Sequence, residues 1–313
     1  MKAVVVHVYG PPESLRYDDF PDPAPPGPNE VLIRIAAASV NPADARLASG
    51  EHAELWPLSS LPRASGRDLA GVVEAVGPGV TDYRVGDKVY GYSGLHWAGT
   101  WADKIVMPTE WLAPAPKSIS LIEAAALPVV ALTAWVTLFV DWHIERGQRL
   151  LVNGAAGGVG SMAVQMAKAA GVYVIGSAST SKQDYLRELG CDEVIDYSKT
   201  PVDSVVDQVD AVLDGTGTQS DSRKRSYALV KPGGWLASVS NEYDPDAAER
   251  HGIRIAPTFG RVEGDALHRI AREVDEGRLK VNISKTFPMS EAAKALAGVA
   301  EGHSLGKVVL VNS

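Results

Sequence analysis

Residues 150–160 read Leu-Leu-Val-Asn-Gly-Ala-Ala-Gly-Gly-Val-Gly, and a helical stretch, 161–170, follows at once. An apolar run, a glycine-rich turn and a helix in that order form the phosphate-binding corner of a dinucleotide fold. Glycine lets the backbone approach a pyrophosphate, and the helix start offers amides that have no helical acceptor. Ala156, Gly157, Gly158 and Val159 are expected to meet the pyrophosphate through their backbone, and Gly160 to let the helix lie close to the strand. Ala155 occupies the place of the first glycine in G-x-G-x-x-G, so the turn alone is a weak signal. The next strand strengthens it. About 20 residues past such a turn an NAD site carries a carboxylate for the ribose hydroxyls. Here that place holds Ser177, followed by Ala178-Ser179-Thr180-Ser181-Lys182. Hydroxyls and an ammonium suit a 2′-phosphate, which favours NADP(H), with Ser177, Ser179 and Lys182 as its holders. The plainer reading, that Ser-Thr-Ser caps the helix 182–189, is compatible with it.

Composition bounds what surrounds this corner. The chain has 313 residues, 45% hydrophobic and 22% charged, which fits a two-domain globular protein. A formal net charge of −8 argues against nucleic acid and anionic membranes as partners. The single cysteine excludes an internal disulfide and a cysteine-based metal cluster. The N-terminus enters a strand directly, and the longest apolar stretch, 124–140, is broken by Pro128 and falls short of a membrane span. A cytoplasmic enzyme is the expectation.

Texture divides the chain. Up to about residue 122, short β-branched runs (3–8, 31–36, 71–76, 88–90, 104–106) lie between proline and glycine turns, the pattern of a barrel-like antiparallel domain. Beyond it, strand candidates 150–153, 172–175, 193–196, 210–213 and 235–238 alternate with helices, with a sixth strand at 252–257. That alternation predicts a parallel sheet wrapped on both faces. Helices 265–276 and 290–301 and a strand 307–311 follow.

An ordered set of motifs gives these halves a family. It comprises Ser39-Val40-Asn41-Pro42-Ala43-Asp44, Gly66-Arg67-Asp68-Leu69-Ala70-Gly71-Val72-Val73 and Val85-Gly86-Asp87-Lys88-Val89. Ala126-Leu127-Pro128, Leu132-Thr133-Ala134, the turn 154–160 and Gly306-Lys307-Val308-Val309-Leu310 complete it. The chain resembles the zinc-independent quinone oxidoreductases of the medium-chain dehydrogenase/reductase superfamily. The resemblance implies an α/β fold: a GroES-like, mostly β catalytic domain (1–124 and 263–313) and a Rossmann NADP-binding domain with a doubly wound parallel sheet (125–262). The active site is then expected in the cleft. Zinc-dependent relatives need a Cys near Asn41 and a His-Glu pair in the segment 66–71; neither is here, so no metal is expected. Without a Lewis acid, the favoured chemistry is hydride delivery to an electron-poor acceptor, a quinone or an α,β-unsaturated carbonyl.

Roles follow from matched positions. The resemblance places Asn41 and Thr133 beside the nicotinamide and its ribose, Tyr197 beside the adenosine, and Lys307 near the cofactor. Asn241 ends a strand facing the same cleft. Asp44 either relays a proton or caps the helix that starts beside it, and Arg46 either steadies an oxyanion or lies in solvent. No tyrosine follows this motif before Tyr83, which favours proton delivery by water. Trp56, Tyr92, Trp97, Trp101 and Phe259 are candidate walls for a flat or apolar acceptor, although tryptophans in turns also anchor cores. A homodimer pairing edge strands 252–257 is expected. Two alternatives stand: an enoyl reductase on a carrier-bound or biosynthetic intermediate, for which Arg46, Arg63 and Arg67 offer a faint basic patch, and a non-catalytic NADPH-binding sensor.

Overall fold

The computed structural model describes residues 1–51, 53, 61–94, 98–216, 222–258, 260–262, 265–300 and 305–312. They form two compact units, Met1–Val129 with Arg261–Gly277 and Val281–Ser313, and Val130–Gly260 with Arg278–Lys280. No helix among the described residues is long and apolar enough to cross a membrane.

The first unit is built on one long strand. Strands β1 (Lys2–Val6) and β2 (Arg16–Asp19) pair antiparallel, and β3 (Glu30–Val40) runs into helix α1 (Pro42–Ser49). Then come β4 (Arg63–Ala64), β5 (Asp68–Val76), β6 (Lys88–Tyr92), β7 (Lys104–Pro108), β8 (Leu112–Pro114) and the short α2 (Leu121–Ala124). Alternation along β3 sends Val31, Ile33 and Ile35 into a core with Leu69, Val89, Ile105 and Met107, while Arg34 faces out to Glu74. One edge of β3 pairs β5; the other is shared by β7 over its first half and a returning strand over its second.

The second unit begins within α3 (Pro128–Trp135), whose residues Val130, Ala131, Leu132 and Ala134 are all buried. A helix apolar on every side shows no period, which is why the apolar run 124–140 reads without an element. It continues into one wide π turn, Val136–Asp141. Next come β9 (Arg149–Asn153), α4 (Gly158–Ala169), β10 (Tyr173–Ala178), α5 (Gln183–Glu188), β11 (Glu193–Asp196) and β12 (Val209–Asp214). Helix α6 (Ser222–Leu229), β13 (Val230–Ser238), α7 (Pro245–His251) and β14 (Arg254–Pro257) complete the unit. The sheet order is β11-β10-β9-β12-β13-β14, all parallel, with its reversal between β9 and β12. That is the doubly wound Rossmann order, and it places ligands at the carboxyl ends of β9 and β12.

The chain then returns to the first unit with α8 (Ala266–Asp275), β15 (Ile283–Pro288), α9 (Ala292–Ala300) and β16 (Lys307–Val311). Strand β16 pairs β15 in parallel and β3 antiparallel, with Val308 opposite Val40 and Leu310 opposite Ala38. One parallel pair therefore stands in a sheet expected to be wholly antiparallel. Val308 and Leu310 pack with Val4, Val40, Trp101, Leu296 and Met289 in a second core.

Candidate functional site

The glycine corner has its expected form. Gly157 is the N-cap of α4, so the amides of the first turn have no acceptor within the helix. A Cβ on Gly160 would lie 2.5 Å from Gly154 O and 2.8 Å from Ala155 Cα, so only glycine lets α4 sit this close to β9. A Cβ on Gly157 would meet only Gly154 O, at 3.3 Å, so its other side is clear for a ligand. Ala155 is fully buried beneath β10, where a Cβ on Gly176 would lie 2.7 Å from Cys191 Sγ, 2.9 Å from Leu186 Cδ2 and 3.2 Å from the Ala155 methyl. These residues fit a pyrophosphate.

The expected 2′-phosphate holders separate. Ser177 is buried on β10, and its hydroxyl donates to Asn153 Oδ1 at 2.9 Å. It serves the sheet, a correction that follows from register, because Ser177 pairs with Asn153 across β10 and β9. Ser179 and Lys182 lie half-exposed in the turn after β10. Burial lowers the Lys182 ammonium from its ordinary range. One carboxylate escaped the residue count: Asp196 pairs with Ala178 across β10 and β11. It accepts from Thr180 Oγ1 and from the Ser198 amide at 3.0 Å, and Lys199 stands 3.3 Å away. Tyr197 is 52% exposed rather than packed, leaving its ring face open for stacking. Asn241, at φ +55°, clamps Thr258: its Nδ2 donates to Thr258 O at 3.2 Å and its Oδ1 accepts the Thr258 amide at 2.7 Å. Both ends of that amide are engaged in holding a turn. Thr133 is buried on α3.

In the first unit, β3, β5 and β16 converge on a buried polar cluster. Because Val308 faces Val40, Lys307 faces Asn41, and its Nζ donates to Val40 O at 3.1 Å and to Asn41 Oδ1. Because Ala70 faces Ala37 antiparallel, Asp68 faces Ser39; its Oδ2 accepts from Ser39 Oγ and from Asn41 Nδ2 at 2.9 Å. Asp68 Oδ1 accepts the Val129 amide at 2.6 Å, capping the first turn of α3. Lys307 Nζ lies 3.8 Å from Asp68, and both residues are buried. Lys307 is thus an interior cation, not a surface strand lysine. Burial pushes the Asp68 carboxyl up, while Lys307, Asn41, Ser39 and the Val129 amide pull it down. Burial is the largest of these and the net direction is upward, while the ring of donors suits the ionised form. Burial lowers Lys307, and Asp68 and Asp44 oppose it.

Asp44 closes a capping box on α1: its Oδ2 accepts the Asn41 amide at 2.8 Å. The helix-cap role is therefore the one displayed, and the residue is fully enclosed. Burial pushes its carboxyl up to about 6, opposed by the Asn41 amide, Arg67 and Lys307 and reinforced by Asp68. The folded chain binds this proton more tightly than the unfolded chain does. Its contribution to stability is therefore full below about pH 4 and is lost as pH rises through about 6. Asp44→Asn keeps an oxygen for the Asn41 amide and removes the charge. Between pH 4 and pH 7, urea unfolding should show the parent losing roughly 3 kcal/mol relative to the variant; the same change in both would refute the assignment.

Arg67 is buried, with Nη1 donating to Gly66 O at 3.0 Å, so it cannot belong to a surface basic patch. Arg46 lies half-exposed on α1. Tyr92 ends β6 opposite Asp68, and burial raises its hydroxyl to about 12. Trp101 is fully buried, donates from Nε1 to Ser39 O at 3.1 Å, and stands where a Cβ on Gly66 would fall. It is a core anchor rather than a pocket wall. Trp56, Trp97 and Phe259 lie outside the described residues. No group of three His, Cys, Asp or Glu among the described residues is placed to hold a metal ion. At the segment 66–71, both Asp68 oxygens already accept protein donors and the Lys307 ammonium stands beside them, which is a poor donor set for a divalent cation.

Comparison with known proteins fits this architecture. Residues 27–117 match the family model of the alcohol dehydrogenase GroES-like domain, and residues 189–310 that of a zinc-binding dehydrogenase. A quinone oxidoreductase of Pseudomonas aeruginosa is 34% identical over 99% of both chains. The chloroplastic NADPH-dependent alkenal/one oxidoreductase of Arabidopsis thaliana is 33% identical over 99% of this chain and 79% of its own. Among solved structures, the quinone oxidoreductase of Coxiella burnetii superposes with a TM-score of 0.91 at 30% identity, covering 99% of each chain. That of Escherichia coli complexed with NADPH gives 0.87 at 26% identity, over 99% of this chain and 100% of the other. The protein is an oxidoreductase of the medium-chain dehydrogenase/reductase superfamily, in its quinone-oxidoreductase-like branch.

Proposed function

We propose that the protein is an NADPH-dependent, zinc-free reductase of quinones or α,β-unsaturated carbonyls. The observation that carries this reading is the charge-balanced cluster of Asp68, Asn41 and Lys307, which puts two cation-satisfied polar groups where a metal would need open donors. Bound NADPH supplies the hydride. The chain's own work is to orient, to steady charge and to admit a proton. First-turn amides of α4 hold the pyrophosphate, with Ser179 and Lys182 on the 2′-phosphate and Tyr197 against the adenosine. Asn41 and Thr133 line the nicotinamide end. Arg46, on the exposed side of α1, steadies the oxyanion that forms on the acceptor, and water delivers the proton, since Asp44 is committed to Asn41. A homodimer joined through the edge strand β14 completes the reading, and gel filtration checks it.

Absorbance at 340 nm with EDTA-treated protein, NADPH or NADH, and either a benzoquinone or a medium-chain enone tests the whole. Loss of NADPH with either acceptor is the expected result, and the faster acceptor names the substrate class. Lys182→Ala should raise the KM for NADPH roughly tenfold or more, the worth of a charge-assisted hydrogen bond, and leave that for NADH unchanged. Equal rates with both cofactors in the parent chain would remove the 2′-phosphate assignment. Tight NADPH binding without turnover of either acceptor would turn the reading toward a carrier-bound enoyl substrate.

A further inference from the structure

The two ends of an Asn amide are alike in shape, so surrounding partners alone decide which way it points. At Asn41 those partners carry opposite charges. Nδ2 donates to the Asp68 carboxylate at 2.9 Å, and Oδ1 accepts from the Lys307 ammonium. A reversed amide would set N–H against ammonium and oxygen against carboxylate, so one orientation is enforced. Each end keeps capacity for one further partner: the second Nδ2 hydrogen and the second Oδ1 lone pair. Asp68 has a second attachment, because its Oδ1 accepts the Val129 amide while Ser39 donates to its Oδ2. One carboxylate therefore joins β3, the Asn41 turn and the backbone of Val129.

We propose that Asp68 is a positioning residue for cofactor binding, acting through Asn41. This rests on the reading above that Asn41 lines the nicotinamide end. Asp68 touches neither cofactor nor acceptor; it presents the remaining Asn41 N–H in one direction.

The test is a double-mutant cycle with Asp68→Asn and Asn41→Ala, reading the NADPH dissociation constant by nucleotide fluorescence, the KM of the acceptor and the thermal midpoint. Asp68→Asn should weaken NADPH roughly tenfold, the worth of a directed polar contact, with the acceptor KM unchanged. In the Asn41→Ala background the same change should add nothing, because the group it directs is gone. A merely structural role would weaken NADPH by the same factor in both backgrounds; that result, or full NADPH affinity in Asp68→Asn, overturns the inference, whereas the thermal midpoint falls in either case because the Lys307 ammonium loses its carboxylate. If Asn41→Ala alone leaves NADPH affinity intact, the placement of Asn41 fails, and this inference with it. Should Asp68→Asn not fold, the charge-neutral pair Asp68→Asn with Lys307→Met removes both directing charges and is read the same way.

Discussion

Gly160→Ala is expected to weaken NADPH binding at least 100-fold, measured by fluorescence titration. Helix propensity alone predicts the opposite sign for stability, since alanine gains about 1 kcal/mol over glycine within a helix. Contact geometry decides the matter. The new methyl would stand 2.5 Å from Gly154 O and 2.8 Å from Ala155 Cα, and both are backbone atoms that cannot rotate away. Helix α4 must retreat from the turn after β9, drawing its first-turn amides off the phosphate position. Strain of this kind costs typically 1–3 kcal/mol in stability, so the fold should survive while the corner does not. Gly157→Ala is the companion measurement. Its methyl meets only one backbone oxygen at 3.3 Å, so the thermal midpoint should hold while affinity drops because the ligand's space is filled. Unchanged affinity in both variants would mean that no pyrophosphate lies here.

Lys307→Met should destabilise the protein by about 3–5 kcal/mol, the usual effect of removing one partner from a buried ion pair. The variant leaves the enclosed Asp68 carboxylate without its ammonium 3.8 Å away, and it takes a donor from both Val40 O and Asn41 Oδ1. Removing the opposing charge as well should restore much of the loss. Lys307→Met with Asp68→Asn is therefore expected to lie at least 1 kcal/mol above the sum of the two single changes in urea unfolding. Strict additivity would mean that the two charges do not sense each other, and that the cluster is held by packing alone.

Much of this was readable in the residues themselves. The alternation of strands and helices after residue 122 announced the Rossmann sheet, and the turn 154–160 announced its ligand corner, because both depend on local pattern. Asn41, Asp44 and Lys307 stood out through motif position. What the sequence withheld was burial. Lys307 reads as an ordinary strand lysine until Val308 is seen to pair with Val40, a match across 267 residues for Lys307 and Val40. The inward turn of Ser177 and the clamping role of Asn241 are likewise products of register and of a left-handed turn, which composition does not encode. Strand β15 escaped notice because Ile283-Ser-Lys-Thr-Phe-Pro288 has no buried residue, leaving little alternation to detect. Arg67 looked like surface charge, since nothing in a linear reading tells a solvated arginine from one folded under Asp44.

The place of β16 in the sheet bears on how the protein is made. The half of β3 that carries Ala38 and Val40 has β5 on one edge but finds the partner of its other edge only at residues 307–311, while the second unit is nearly continuous in the chain. A ribosome adding about 5–20 residues per second needs roughly 13–53 s to cover the 267 residues between Val40 and Lys307. During that interval the second unit has what it needs to fold, whereas the first waits with an apolar strand edge unpaired. Newborn chains therefore pass through a stage in which the nucleotide-binding half is finished and the other is sticky. Holdase chaperones have their opportunity there, and any fusion or truncation that delays residues 307–311 lengthens it.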